Sequence, residues 1–165
     1  MNLIIVDSAP LILLAKLSLL DRVGHRFFLV VPSEVAHETT CRQDLPDARY
    51  IQELIKEGYL HVEKTNHQRT VNFQKEWDVG AGEASALVLA IEKKGVVMTD
   101  DFAAMRVAKV LRIPFVTTID ILLELHRHKF ISRNLTLAKL SELKKHAWIS
   151  PHYIATAIKK IEEGG

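Results

Sequence analysis

The sequence is poor in the residues that build covalent or repetitive scaffolds. Of its 165 residues one is cysteine, Cys41, so no disulfide closes within the chain, and no Cys and His spacing forms a zinc pattern. A reducing, cytoplasmic setting is the expectation. Seven glycines and five prolines exclude fibrous repeats, and aromatics make up only 7%. No uncharged stretch is long enough for a membrane helix, so no membrane association is expected. The first residues, Met1 to Asp7, lack a basic region, and their apolar run is cut by Asp7, so no secretory leader is expected. Strong charge of one sign is absent too: 22 Lys+Arg face 20 Asp+Glu. Divided along the chain, residues 1–131 hold 16 basic and 17 acidic side chains, while residues 132–165 hold 6 and 3. The basic tail reads first as a solvated helix face and second as a local patch for a polyanion.

What is present is 48% hydrophobic residues in short, branched runs, ample for one core at this length. Leu3-Ile4-Ile5-Val6 is wholly apolar, as expected of a strand buried on both faces of a parallel sheet. It ends at Asp7, after which Ser8 reads as a helix N-cap, with Pro10 in the first turn and Leu11, Leu14, Ala15 and Leu17 at helical spacing. The same order of strand, polar residue and helix recurs at Phe27–Val31 followed by Pro32 and Ser33. It recurs again at Val96–Thr99, followed by Asp100 and Asp101. Ile113–Val116 gives a weaker strand before a helix from Ile119 to His128, capped by Thr117 or Thr118. An amphipathic helix is expected over Asp47–Lys56 and a long apolar one over Glu83–Glu92, stopped by Gly95. Glu63–Lys75 is polar and reads as a loop or poorly packed helix. Alternation of this kind predicts an α/β fold, a three-layer α/β/α sandwich around a mainly parallel central sheet. Residues 1–131 form that unit, and residues 132–165 read as a helical C-terminal extension of the same domain, with helices over Leu135–His146 and Ser150–Ile161.

Ligands of open parallel sheets bind beyond the carboxyl ends of the strands. Asp7 and the pair Asp100-Asp101 stand at two such ends. Each alone reads best as a helix cap, but Ser8 can cap in place of Asp7, and only one of the paired aspartates is needed. Glu83 opens an otherwise apolar helix after Gly80-Ala81-Gly82, a run that permits close approach of another element. Glu34 and Glu38 lie four apart on a short helix, and Glu38, sharing a turn with the inward Val35, is the better candidate. Four carboxylates gathered at one sheet edge repel one another unless protonated or joined by a cation. An oxygen-only set selects a hard ion, Mg2+ or Mn2+. Such an ion suits hydrolysis of a phosphodiester.

Ile5-Val6-Asp7-Ser8, Val31-Pro32-Ser33-Glu34-Val35-Ala36-His37-Glu38, Gly82-Glu83-Ala84-Ser85-Ala86-Leu87 and Met98-Thr99-Asp100-Asp101 resemble, in order and approximate spacing, the acidic motifs of PIN-domain ribonucleases. The match looks closest to the prokaryotic VapC-like group, which includes the toxins of toxin–antitoxin pairs, and covers roughly residues 3 to 131. The resemblance implies a PIN-like fold and a Mg2+- or Mn2+-dependent endoribonuclease. It assigns Asp7, Glu38 and Glu83 as three acids, with the fourth in Thr99-Asp100-Asp101, where the family spacing favours Asp101. The metal set is thus Asp7, Glu38, Glu83, Asp101 and the adjacent Asp100, and Ser8 and Thr99 resemble the family's supporting hydroxyls. An RNA substrate, a homodimer and a small antitoxin partner are implied as well.

Arg106, on the helix after the last acids, is a candidate for holding the scissile phosphate, although a surface arginine is the commoner case. Trp77 and Trp148 read as packing or oligomer contacts rather than base-stacking platforms, since neither lies in a basic aromatic cluster in sequence. Two other function classes compete with the nuclease. A non-catalytic PIN-like module would bind RNA or protein without a productive metal. An unrelated phosphohydrolase would need a glycine-rich phosphate loop or an Asp-x-Asp pair after the first strand, and neither is present.

Overall fold

The computed structural model describes residues 3–164; Met1 and Asn2, part of the leader reading, lie outside them. Among the described residues the first strand is β1, Leu3–Val6, which runs into α1, Ser8–Lys16, and then α2, Leu20–Arg26. β2, Phe28–Pro32, leads to α3, Ser33–Thr40, and α4, Pro46–Lys56. β3, Leu60–Glu63, is followed by α5, His67–Trp77, and α6, Ala81–Lys93. β4, Val96–Met98, precedes α7, Phe102–Val110. β5, Phe115–Val116, precedes α8, Thr118–Arg127. Two helices close the chain, α9, Arg133–His146, and α10, Pro151–Glu163.

All strand pairings are parallel, in the order β3-β2-β1-β4-β5. Side-chain alternation along each strand divides the apolar residues between two cores. Ile4, Val6, Leu29, Val31 and Met98 face one, with α1, α4, α8, α9 and α10. Ile5, Val30 and Val97 face the other, with α6 and α7. Helices on both faces explain why these strands read as unbroken apolar runs rather than alternating ones. The result is the expected three-layer α/β/α sandwich. Leu140, Leu143, Ile154, Ala157 and Ile161 join the first core, so α9 and α10 are packed into the sandwich rather than hung from it.

Of the two alternatives for Glu63–Lys75, the helix is the one that forms: after the end of β3 at Glu63, α5 begins at His67 and runs past the stretch to Trp77, held by an Asn66 cap accepting from Arg69 N–H at 3.0 Å and by burial of Thr70 and Phe73 against α6. Two expectations are corrected. Ser8 is not the cap of α1: Asp7 holds that position, and Ser8 is the first helical residue. Gly95 is not the left-handed residue ending α6, since Lys94 takes that role with φ of 52°. Gly95 is needed because a Cβ there would come within 2.6 Å of Ile5 Cδ1.

The strand order reverses between β1 and β4, so the crevice beyond their carboxyl ends is the topological switch point of the sheet. Asp7 follows β1, and Thr99, Asp100 and Asp101 follow β4, in register across that crevice through the pair Val6–Met98.

Candidate metal centre

Asp7 leaves β1 with its side chain buried, 2% exposed. One oxygen, Oδ1, accepts from the Ser8 backbone N–H at 2.7 Å, and Oδ2 accepts from the Thr99 hydroxyl at 2.9 Å. Thr99 thereby ties the end of β4 to the end of β1, and its Oγ1 also accepts from the Asp101 N–H at 3.2 Å. Both supporting hydroxyls expected from the sequence are engaged, because Ser8 Oγ donates to Glu38 Oε2 at 2.8 Å. Glu38 reaches the crevice from α3 on that bond. Glu34 turns elsewhere, accepting from Ser33 at 3.1 Å and from Thr65 at 2.7 Å; burial works against ionisation, but these bonds hold its carboxyl below the usual range.

The third element arrives through glycine. A Cβ on Gly82 would lie 3.3 Å from Glu38 Oε2, 3.3 Å from Ser8 Oγ and 3.6 Å from Asp7 Oδ1. The bare α-carbon therefore lets the first turn of α6 close over the two acids. One residue on, Glu83 folds its carboxylate back over Gly80, near enough to Asp7 to act on its charge.

The doubled aspartate divides its labour. Asp101 caps α7, Oδ1 accepting from Ala104 N–H at 2.8 Å, and its charge is felt at Asp7. Asp100 faces away toward α8, where Oδ1 accepts from Thr118 N–H at 2.8 Å and Oδ2 from the Thr118 hydroxyl at 2.5 Å. Burial raises its pKa against those two bonds. The acids brought together are thus Asp7, Glu38, Glu83 and Asp101, while Asp100 belongs to the neighbouring loop. Arg106 is exposed on α7 and forms no ion pair among the described residues.

Burial first, then the charges of Glu83 and Asp101, push the Asp7 carboxyl up to about 6, in spite of the bonds from Ser8 and Thr99. A buried acid beside two others is a site short of positive charge. Among the described residues no three acidic, His or Cys side chains stand ready-made around one ion position. The donors are all oxygen, and Gly82 leaves open the space where those of Asp7, Ser8 and Glu38 meet. That set fits a small hard divalent ion such as Mg2+ or Mn2+.

A doubly wound parallel sandwich with acids from four elements at its switch point defines a class of α/β proteins in which an acidic crevice, rather than a glycine-rich loop, marks the site. A sequence model of the PIN domain matches residues 3–163, and the chain belongs to the PIN-domain family. The match runs through α9 and α10, beyond the span the acidic motifs alone cover. PIN domains are generally nucleases that use divalent metals such as Mg2+. No curated protein matches the chain. Among the described residues no helix is long and apolar enough to cross a membrane.

Proposed function

We propose that this chain is a divalent-dependent endoribonuclease, with Asp7, Glu38, Glu83 and Asp101 as the residues that hold Mg2+ or Mn2+. The observation that carries the reading is the convergence of Asp7, Ser8 and Glu38 around Gly82, with Glu83 and Asp101 acting electrostatically on the buried Asp7. When bound, the ion supplies an acidified water as nucleophile and neutralises charge on the phosphodiester. The chain's own residues do the positioning. Thr99 fixes the Asp7 carboxylate through Oδ2, and Ser8 aims Glu38 from the first turn of α1. The N-termini of α1, α6 and α7 all open at this edge; those of α1 and α7 are capped by Asp7 and Asp101, and that of α6 has no side-chain cap, so its dipole favours an anionic phosphate there. Asp101 joins the set from the cap of α7, keeping that terminus in place.

The toxin role, a small antitoxin inhibitor, a homodimer and a cytoplasmic setting complete the reading. The first three rest on the resemblance of the acidic motifs to the VapC-like group, and the last on the single cysteine, Cys41. Incubation with single-stranded RNA tests the core of it. Cleavage should require added Mg2+ or Mn2+, stop with a chelator, and be lost in Asp7→Asn. RNA left intact with either ion by protein of verified fold contradicts it.

A further inference from the structure

Glu38 reaches the acidic crevice from α3, a helix of eight residues with no side-chain cap at its N-terminus. A helix that short is marginal on its own, so its setting depends on what holds it from outside. Val35, Ala36 and Thr39 seat its inner face in the core. Apolar burial is non-directional, and it holds a helix down more firmly than it fixes rotation about the axis. The direction in which Glu38 points needs bonds that have direction.

Two such bonds reach α3 from opposite sides. The helix opens at the end of β2, the strand that lies between β3 and β1. From the β1 side, Ser8 Oγ donates to Glu38 Oε2 at 2.8 Å. From the β3 side, Thr65 Oγ1 donates to Glu34 Oε1 at 2.7 Å, while Ser33 Oγ donates to Glu34 Oε2 at 3.1 Å. Both Glu34 oxygens are thus occupied by donors from the chain. Thr65 belongs to the short link between β3 and α5, and His67, which opens α5, also favours the ionised Glu34. Glu34 and Glu38 lie one turn apart on α3, where like charges repel. The hydroxyls of Thr65 and Ser8 draw them to opposite neighbours of β2.

We infer that Glu34 is a positioning residue: tied to Thr65, it sets the rotation of α3 and so presents Glu38, one turn on, to the crevice beside Ser8. The consequence for ion binding rests on the metal-centre reading, whereas the control of Glu38 rests on the two hydrogen bonds alone. Thr65, which carries no charge, thereby becomes a residue on which the affinity of the acids for Mn2+ depends.

Thr65→Val tests this, since it keeps the shape of the side chain and every acid and removes only the donor. Two readouts on the full chain separate control of Glu38 from uptake of the ion. In metal-free protein the carboxyl carbon resonance of Glu38, followed by NMR, should move in Thr65→Val and return in Thr65→Ser, with that of Glu142 on α9 unmoved. Calorimetric Mn2+ affinity should fall about ten-fold in Thr65→Val and recover in Thr65→Ser. Glu34→Ala should reproduce the Glu38 resonance shift from the other end of the bond. Asn66→Ala removes the cap of α5 beside Thr65 but spares the bond, so it should melt at a lower temperature with Mn2+ affinity unchanged.

A Glu38 resonance indifferent to both Thr65→Val and Glu34→Ala overturns the positioning role. So does an equal loss of Mn2+ affinity in Asn66→Ala, which would make the effect one of stability. Mn2+ uptake by the wild type that Thr65→Val leaves unaltered sinks the positioning role alone. A wild type that takes up no Mn2+, with a Glu38 resonance that answers to Thr65, sinks the metal centre and upholds the hold of Glu34 on Glu38.

Discussion

Asp7 is a buried acid and Asp100 a half-buried one, each following a parallel strand at one sheet edge and each accepting two hydrogen bonds, but Asp7 has two carboxylates acting on it and Asp100 one, Asp120. Asp100 has two donors from Thr118 and serves the α7–α8 corner, where the cavity is apolar and aromatic. Asp7 is hydrogen-bonded too, but it faces Glu83 and Asp101, and its carboxyl is raised to about 6. A carboxylate whose bonds satisfy it is part of the fold. A carboxylate crowded by its own kind marks where the fold has been left unfavourable for something bound.

The largest effect expected from breaking this contrast is the complete loss of divalent-dependent RNA cleavage in Asp7→Asn, scored by gel electrophoresis, with the fold retained by circular dichroism. Removing the support rather than the acid is milder. Ser8→Ala and Thr99→Val should each lower Mn2+ affinity by about 10- to 100-fold, read by calorimetry, as expected when a hydrogen bond that orients a ligand is lost.

The contrast sharpens in stability. A raised folded-state pKa means that the contribution of Asp7 to stability is full below its unfolded value of 3.8 and is lost as pH rises through about 6. The displacement is worth about 3 kcal/mol. Thermal melts should therefore show Asp7→Asn more stable than wild type above about pH 7, with the advantage gone near about pH 4. Asp100 is raised as well and shifts the wild-type curve in the same direction. Asp100→Ala should nevertheless destabilise by about 1 kcal/mol, because the buried Thr118 N–H loses its acceptor, and should leave Mn2+ affinity unchanged. A stabilised Asp100→Ala, or a destabilised Asp7→Asn at neutral pH, would erase the distinction between the two halves.

Much of this arrangement is legible in sequence because burial on both faces leaves β1, β2 and β4 as plain apolar runs, β1 and β4 followed by polar residues that open a helix and β2 ending in Pro32 ahead of Ser33. β3 is hidden for the converse reason: it is an edge strand with His61 and Val62 exposed, so its alternation dissolves into its polar neighbours. α5 buries only Thr70 and Phe73 and depends on α6 for its stability, a tertiary contribution that periodicity does not carry. α2 is short, holds Gly24 in its interior and presses that glycine against Tyr59, so local propensity speaks against it. The choice of Glu38 over Glu34 followed from helix geometry. The division between Asp100 and Asp101 did not, because it depends on Thr118, eighteen residues away. Trp148 reads in sequence as a packing or oligomer contact, and the fold leaves it exposed on one cavity with Phe102 and Tyr153, a grouping that no local pattern carries.

The most direct measurement is calorimetric titration of Mn2+ into the wild type and Asp7→Asn at about pH 8, where Asp7 is ionised. The account predicts saturable binding by the wild type and its loss in the variant, with RNA cleavage lost alongside. A wild type that takes up no Mn2+, or a variant that binds it equally well, would contradict the claim that these acids form a metal centre.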